Sequence, residues 1–406
     1  MRSRLSKGTL NQMGTKANID DTLIKAKQYI QEYFKVTSDK VVDPKRLVEH
    51  LNEIRKLLII TASEKRELLV DCFQTEGFLQ DIVKYLNHSS SEHHDILEQI
   101  TWIYLLIFSM ISEQKLLGII EEYDLITHLF GLLSIDHVEI FSNVVWCFAN
   151  IMSNEPQMKR LLVEIKVFEK IEERSQEIEA AGRVLNPSFY QSFVIYLDSY
   201  LTTVPFETTQ VEIENYLLRC LNFYVNCSTE LLKCFETDLL GCIRHLTHFI
   251  DEYLLKEIIQ KNLFGEFINQ LFSSFIDVKY PYKNHILGIL SNLTSDIIRD
   301  ITMVFEADSI QKMLNNCLRN EETLYETAIL LGNILLDLKV LDSFFQNKNE
   351  EIFRLLFYIL ERKVTRYDEF IDQIEEIVRT IQIFLIRGES ECFVLFCLEN
   401  CGKECT

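Results

Sequence analysis

Two tryptophans and a set of asparagines are the residues of this chain whose types and spacing suit recognition chemistry. Between Val138 and Glu173, Trp146 and Asn150 stand four residues apart. At about 100° per residue on a helix they share one face with Asn143 and Asn154. Phe141, Val144, Val145, Phe148 and Met152 fall on the opposite, apolar face. An asparagine amide offers a donor and an acceptor to a peptide backbone. An indole gives a flat wall for the stem of Lys or Arg, with a cation–π attraction of roughly 0.5–2 kcal/mol. The competing reading is packing, because a tryptophan amid apolar residues is a common core residue and a lone asparagine can bridge neighbouring helices.

The pattern recurs along the chain. Trp102 lies 44 residues before Trp146, and Asn292 and Asn333, 41 residues apart, sit in helical stretches of the same kind, as does Asn226. Four residues beyond these three asparagines come Glu230, Asp296 and Asp337. Acids one turn past an amide would take ammonium or guanidinium heads. The surface these nine residues describe suits an extended Lys/Arg-rich peptide.

Helices must position them. Apolar residues recur at three- and four-residue steps nearly everywhere, and 12 Gly and 5 Pro in 406 residues leave little material for turn-rich β architecture. The chain exceeds the size of a single core, so a repeat array or several domains is expected. A shorter helix precedes each tryptophan helix, FLQDIVKYL before Trp102 and LITHLFGLL before Trp146. Units of about 40 to 47 residues built from two or three helices predict an all-α, right-handed superhelical solenoid of armadillo (or HEAT-like) repeats. One helix pair cannot cover its own apolar face, and stacking leaves a long concave groove as the binding surface.

In chain order, residues 1–20 are polar and basic, and Asp21 to Phe34 reads as a first short helix. Residues 1–35, with seven Lys/Arg against three Asp/Glu, are expected to be a flexible basic segment, and 36–406 a solenoid of seven to nine irregular repeats. The region from about 175 to 265 is irregular: Asn150 and Asn226 are 76 residues apart, Asn226 and Asn292 are 66, and 179–188 and 202–210 read as loops. At least one unit there is expected to have lost or shortened a helix. The strongly periodic stretches EEIFRLLFYILER and IDQIEEIVRTIQIFLIRG, without a ladder asparagine, read as C-terminal capping helices.

Composition narrows the partners. A formal charge of −20 disfavours direct nucleic acid and anionic membrane, and favours a basic partner. The longest apolar run, Ile100 to Ser112, is far short of the ~20 residues of a membrane span. Eleven cysteines spread through apolar helical stretches read as reduced thiols of a cytoplasmic or nuclear protein. No phosphate loop, dinucleotide fingerprint or HExxH occurs, and no acid, base and nucleophile come together, so neither an enzyme nor a cofactor is expected. His88, His93, His94 and Asp95 read as a solvated loop, and Cys392, Cys397, Cys401 and Cys405 as helix-face thiols, rather than as metal sites.

The segment WCFANIMSNE (146–155) resembles the third-helix signature of armadillo repeats in the importin-alpha family, and 304–337 is similar to a whole such repeat without its Trp. RLSKGT (4–9) and NIDDTLIKAKQ (18–28) resemble the opening and closing parts of that family's importin-beta-binding segment, with LNQMGTK where its arginine cluster would stand. The resemblance implies a nuclear import adaptor that holds nuclear localisation signals in its groove and recruits importin-beta through residues 1–35. The alternative is an armadillo scaffold with a non-transport partner, such as a cytoskeletal or ciliary protein.

Overall fold

A computed structural model describes residues 19–38, 43–61, 65–86, 93–154, 156–203, 210–276 and 282–294, together with Leu330. The described residues form sixteen α-helices and no strand. They belong to two compact units, residues 1–206 with 233–235, and residues 207–232 with 236–406.

The first unit opens with two helices, α1 (Ile19–Ser38) and α2 (Pro44–Ile60). The expected boundary at residue 35 falls inside α1. Ala26, Ile30, Tyr33 and Val36 recur at helical spacing and are all buried, so residues 19–35 belong to the folded body. Tyr33 donates to Asp81 at 2.9 Å and meets the Phe78 ring edge-on at 5.1 Å, which docks α1 on the helix that carries both. Asp43 caps α2, its carboxylate accepting from Lys45 N, and Pro44 supplies the fixed first φ.

Three helix triplets follow: α3 (Arg66–Thr75), α4 (Phe78–Leu86) and α5 (His94–Met110); α6 (Glu113–Glu122), α7 (Leu125–Leu132) and α8 (Val138–Asn154); α9 (Pro156–Glu164), α10 (Val167–Ala180) and α11 (Pro187–Thr203). Each turns from first to second helix through one left-handed residue: Gly77 (φ 74°), Asp124 (φ 47°) and Lys166 (φ 57°). Glycine takes this conformation freely, but a Cβ makes it costly by roughly 1–2 kcal/mol. The corner is therefore imposed by packing of the flanking helices at Asp124 and Lys166.

The long third helices stack in order, α2 on α5, α5 on α8 and α8 on α11. First helices are also linked, Lys115 of α6 donating to Glu67 O of α3 at 2.8 Å and pairing with Asp71. Asp136, between α7 and α8, accepts from Arg174 at 2.7 Å and Arg183 at 2.6 Å, fastening that corner to α10 and the loop after it. Phe141 stacks on Phe189 at 5.4 Å between α8 and α11. Cys72 and Cys147 are buried thiols, and burial pushes both up.

The second unit contains α12 (Gln210–Asn226), α13 (Thr229–His248) apart from its residues 233–235, α14 (Glu252–Ile259), α15 (Asn262–Ile276) and α16 (Lys283–Leu293). Asp251 caps α14 by accepting from Leu254 N at 2.8 Å. α12 packs on α15, with the Tyr224 and Phe267 rings edge-on at 5.3 Å and Lys261 paired to Glu214 at 2.6 Å. Among the described residues no helix is long and apolar enough to cross a membrane. The expected capping helices, the repeat at 304–337, and Cys392 to Cys405 lie outside the described residues, as do residues 1–18.

Candidate peptide-binding surface

Trp102 sits on α5 at the edge of the stacked third helices, its ring half-buried. The side chain of Arg55, from the preceding α2, lies over it, with Cζ 5.7 Å from the ring centroid. Arg55 also donates through Nη2 to Asn52 Oδ1 at 2.9 Å, while its Nε is enclosed and meets no acceptor among the described residues. One turn back on α5, Glu98 is half-buried. Burial raises its carboxyl above the usual range, and the charges of His137 and Arg55 pull it partly back. This corner therefore joins a π-face, a guanidinium and a partly desolvated acid.

Trp146 and Asn150 are placed differently from the sequence expectation. The face they share was expected to be open, yet every residue of α8 from Ile140 to Met152 is buried. Trp146 is 7% exposed and Asn150 1%. The reason is that α5 and α11 flank α8 on both sides while α7 and α9 also contact it, so even its polar stripe is enclosed. On that stripe Asn143, 4% exposed, donates to the Thr101 hydroxyl of α5 at 3.2 Å. Further along, Ser153 shares a hydrogen bond with Ser199 of α11 at 3.2 Å. The polar stripe thus makes register contacts between neighbouring third helices.

Asn292 in the second unit does the same. Its amide donates to Arg244 O at 2.9 Å and to the Thr247 hydroxyl at 3.2 Å, both on α13. Thr247 precedes Asn292 by 45 residues, one repeat. Asn226 is the last residue of α12, exposed, with its amide turned back onto Asn222 O and Oδ1 of its own helix. It belongs to the helix that packs against α15, not to the one that packs against α16. The irregular spacings of 76 and 66 residues therefore come from counting an asparagine on a different kind of helix. Among the described residues α12 alone stands between α11 and α13 in sequence, where each triplet of the first unit has two shorter helices before its long one, in line with a unit that has lost a helix. Glu230 is exposed in the first turn of α13. Asp296, Asn333 and Asp337 lie outside the described residues.

The sequence reading missed Arg55 and Arg244. Arg244 crosses Gly288, four residues before Asn292, so closely that a Cβ there would collide with its Nε and Cζ. Gly288 holds the place before Asn292 that Trp146 holds before Asn150. Arg55 at 47 residues before Trp102 and Arg244 at 44 before Gly288 were both one repeat upstream, and that spacing was the available signal.

No family model and no curated protein matches the chain by sequence. Solved structures do match. One, from work on a conserved phosphorylation switch that controls the interaction between cadherin and beta-catenin, superposes with TM-score 0.62 at 12% identity, covering 88% of this chain and 68% of that chain. An engineered protein matches with TM-score 0.50 at 10% identity, over 87% of this chain and 98% of that one. The chain has an armadillo-repeat fold. A designed armadillo repeat protein in complex with the peptide (KR)4 matches with TM-score 0.29 at 13% identity, over 88% of this chain and 98% of that chain. At these identities the likeness establishes the armadillo architecture alone.

Proposed function

We propose that this armadillo chain is a protein-binding scaffold, acting without chemistry, that takes an extended Lys/Arg-rich peptide along the third-helix surface of its first unit. The observation that carries this reading is the guanidinium of Arg55 seated on Trp102 beside Glu98. A site that already suits one cation in its geometry suits another of the same chemistry. The acidic balance of the whole chain, −20, draws basic partners toward it. In this reading Trp102 is a clasping residue. Trp146 and Asn150, enclosed around α8, support the surface from beneath and do not touch the peptide. In the second unit, taken by itself, Glu230 is exposed at the start of α13, and with Asn226, Asn292, Asp296, Asn333 and Asp337 it forms a separate candidate set.

The finer proposal is a nuclear import adaptor that works between cytoplasm and nucleus, with nuclear localisation signals as cargo and importin-beta recruited through residues 1–35. The Trp/Asn pair of 146–155, on a third helix of the armadillo fold, supports it. A scaffold for a cytoskeletal or ciliary partner is the alternative role of the same surface.

The test is fluorescence polarisation of a labelled Lys/Arg-rich peptide against the full chain at two salt concentrations, beside Trp102→Ala. Binding that falls with salt is expected, with a loss under about twofold on Trp102→Ala because Arg55 already lies on the ring. No binding by the folded chain overturns the basic-peptide surface. Capture of importin-beta, lost when residues 1–18 are removed, is the expected result for the adaptor role.

A further inference from the structure

The contacts that hold Arg55 on Trp102 are individually weak. Its hydrogen bond to Asn52 is to a neutral amide on its own helix, at 2.9 Å. Its Nε has no acceptor among the described residues, although it is buried. The carboxylate next to it in sequence order of the turn, Glu53, is already paired with Lys56 at 2.6 Å. Glu98 acts on Arg55 through the field and not through a hydrogen bond, since no ion pair joins them within 4.0 Å among the described residues. What remains is the π-face, worth roughly 0.5–1 kcal/mol where water has partial access.

We propose that the Trp102 face is a guanidinium-binding site whose occupant in the free chain is Arg55, so that an arginine of a bound peptide enters only by displacing Arg55. This rests on the basic-peptide reading and deepens it. An incoming arginine would exchange one guanidinium for another on the same ring, beside the same half-buried Glu98. The local contacts nearly cancel in that exchange, and the peptide gains little there. Arg55 is therefore a specificity residue: it raises the threshold for weakly basic peptides and leaves the ring to peptides held by further contacts. Planarity favours the guanidinium over an ammonium at this place, because the flat group can lie on the indole while still donating in its own plane.

The experiment uses the full chain and a fluorescent arginine-rich peptide, with affinities measured for wild type, Arg55→Ala, Lys56→Ala and Arg55→Ala/Trp102→Ala. Lys56→Ala removes the same charge one residue away without clearing the ring. Arg55→Gln, which keeps most of the stem and a polar end, serves as a second vacating variant should Arg55→Ala fold poorly by circular dichroism. The expected result is a gain of about fivefold on removing Arg55, under twofold for Lys56→Ala, and loss of the gain in the double variant. Equal gains for Arg55→Ala and Lys56→Ala would reduce the effect to net charge and overturn the inference. Binding by wild type with no gain in either Arg55 variant overturns it while leaving the peptide surface standing. No binding by any folded variant overturns both.

Discussion

The two units solve the same packing problem with different local chemistry. In the first, each triplet turns from first to second helix through a left-handed residue, Gly77, Asp124 or Lys166. In the second, the corner between α14 and α15 passes through Gln260 at φ −71°, ψ −11°, and the described residues there contain no positive φ. The ladder amide is fully enclosed in the first unit, Asn143 meeting Thr101, and half-buried in the second, Asn292 meeting Arg244 and Thr247. An arginine crosses the next third helix in both, over an indole at Trp102 and over bare backbone at Gly288. An armadillo stack thus tolerates many corner and ladder chemistries, provided each long helix finds a partner on either side.

The largest effect expected is in the core. Phe148→Ala in α8 removes a fully buried ring and should cost about 3–5 kcal/mol. If the units unfold separately, calorimetry will show one transition lowered and the other unmoved, and Phe267→Ala will do the reverse; a joint shift would break the distinction. Next come the amides. Asn143→Ala should cost about 1–2 kcal/mol by urea titration, and Asn292→Ala less, because Asn292 itself is only half-buried; equal losses would mean that burial does not separate them.

The corners should respond with opposite signs. Gly77→Ala meets no neighbour within 4 Å, so its loss of about 1 kcal/mol would report backbone strain alone, whereas Lys166→Gly should relieve strain and raise the melting temperature. The smallest effect is at Asp136, whose carboxyl is held below the usual range by hydrogen bonds from Arg183 and Arg174. A lowered pKa in the folded state stabilises above the ordinary value of 3.8 and ceases to do so as pH falls through the depressed one. Asp136→Asn should therefore melt below wild type at pH 7, with the difference closing in acid.

The helical class was legible because apolar residues at three- and four-residue steps bury only in one local geometry, and the stretches 78–86 and 125–133 matched α4 and α7 almost residue for residue. The start of the folded body was not legible. The helix at 21–34 was readable but its docking was not, because the contact from Tyr33 to Asp81 spans 48 residues. The candidate site was only partly readable. Periodicity places Trp146 and Asn150 on a polar stripe, but a stripe becomes a groove only if no neighbour covers it, and α5 and α11 cover this one.

By itself the sequence determined the elements, their period near 45 residues and the chemistry available on each helix face, since these follow from backbone geometry and side-chain type. The tertiary structure decided which faces meet water. It turned Asn143 and Asn292 into links between helices, assigned Asn226 to a different helix role, and set Arg55 on Trp102. Such outcomes depend on which neighbour lies against a helix, and that is fixed by contacts between residues 40 or more positions apart, where no local pattern reaches.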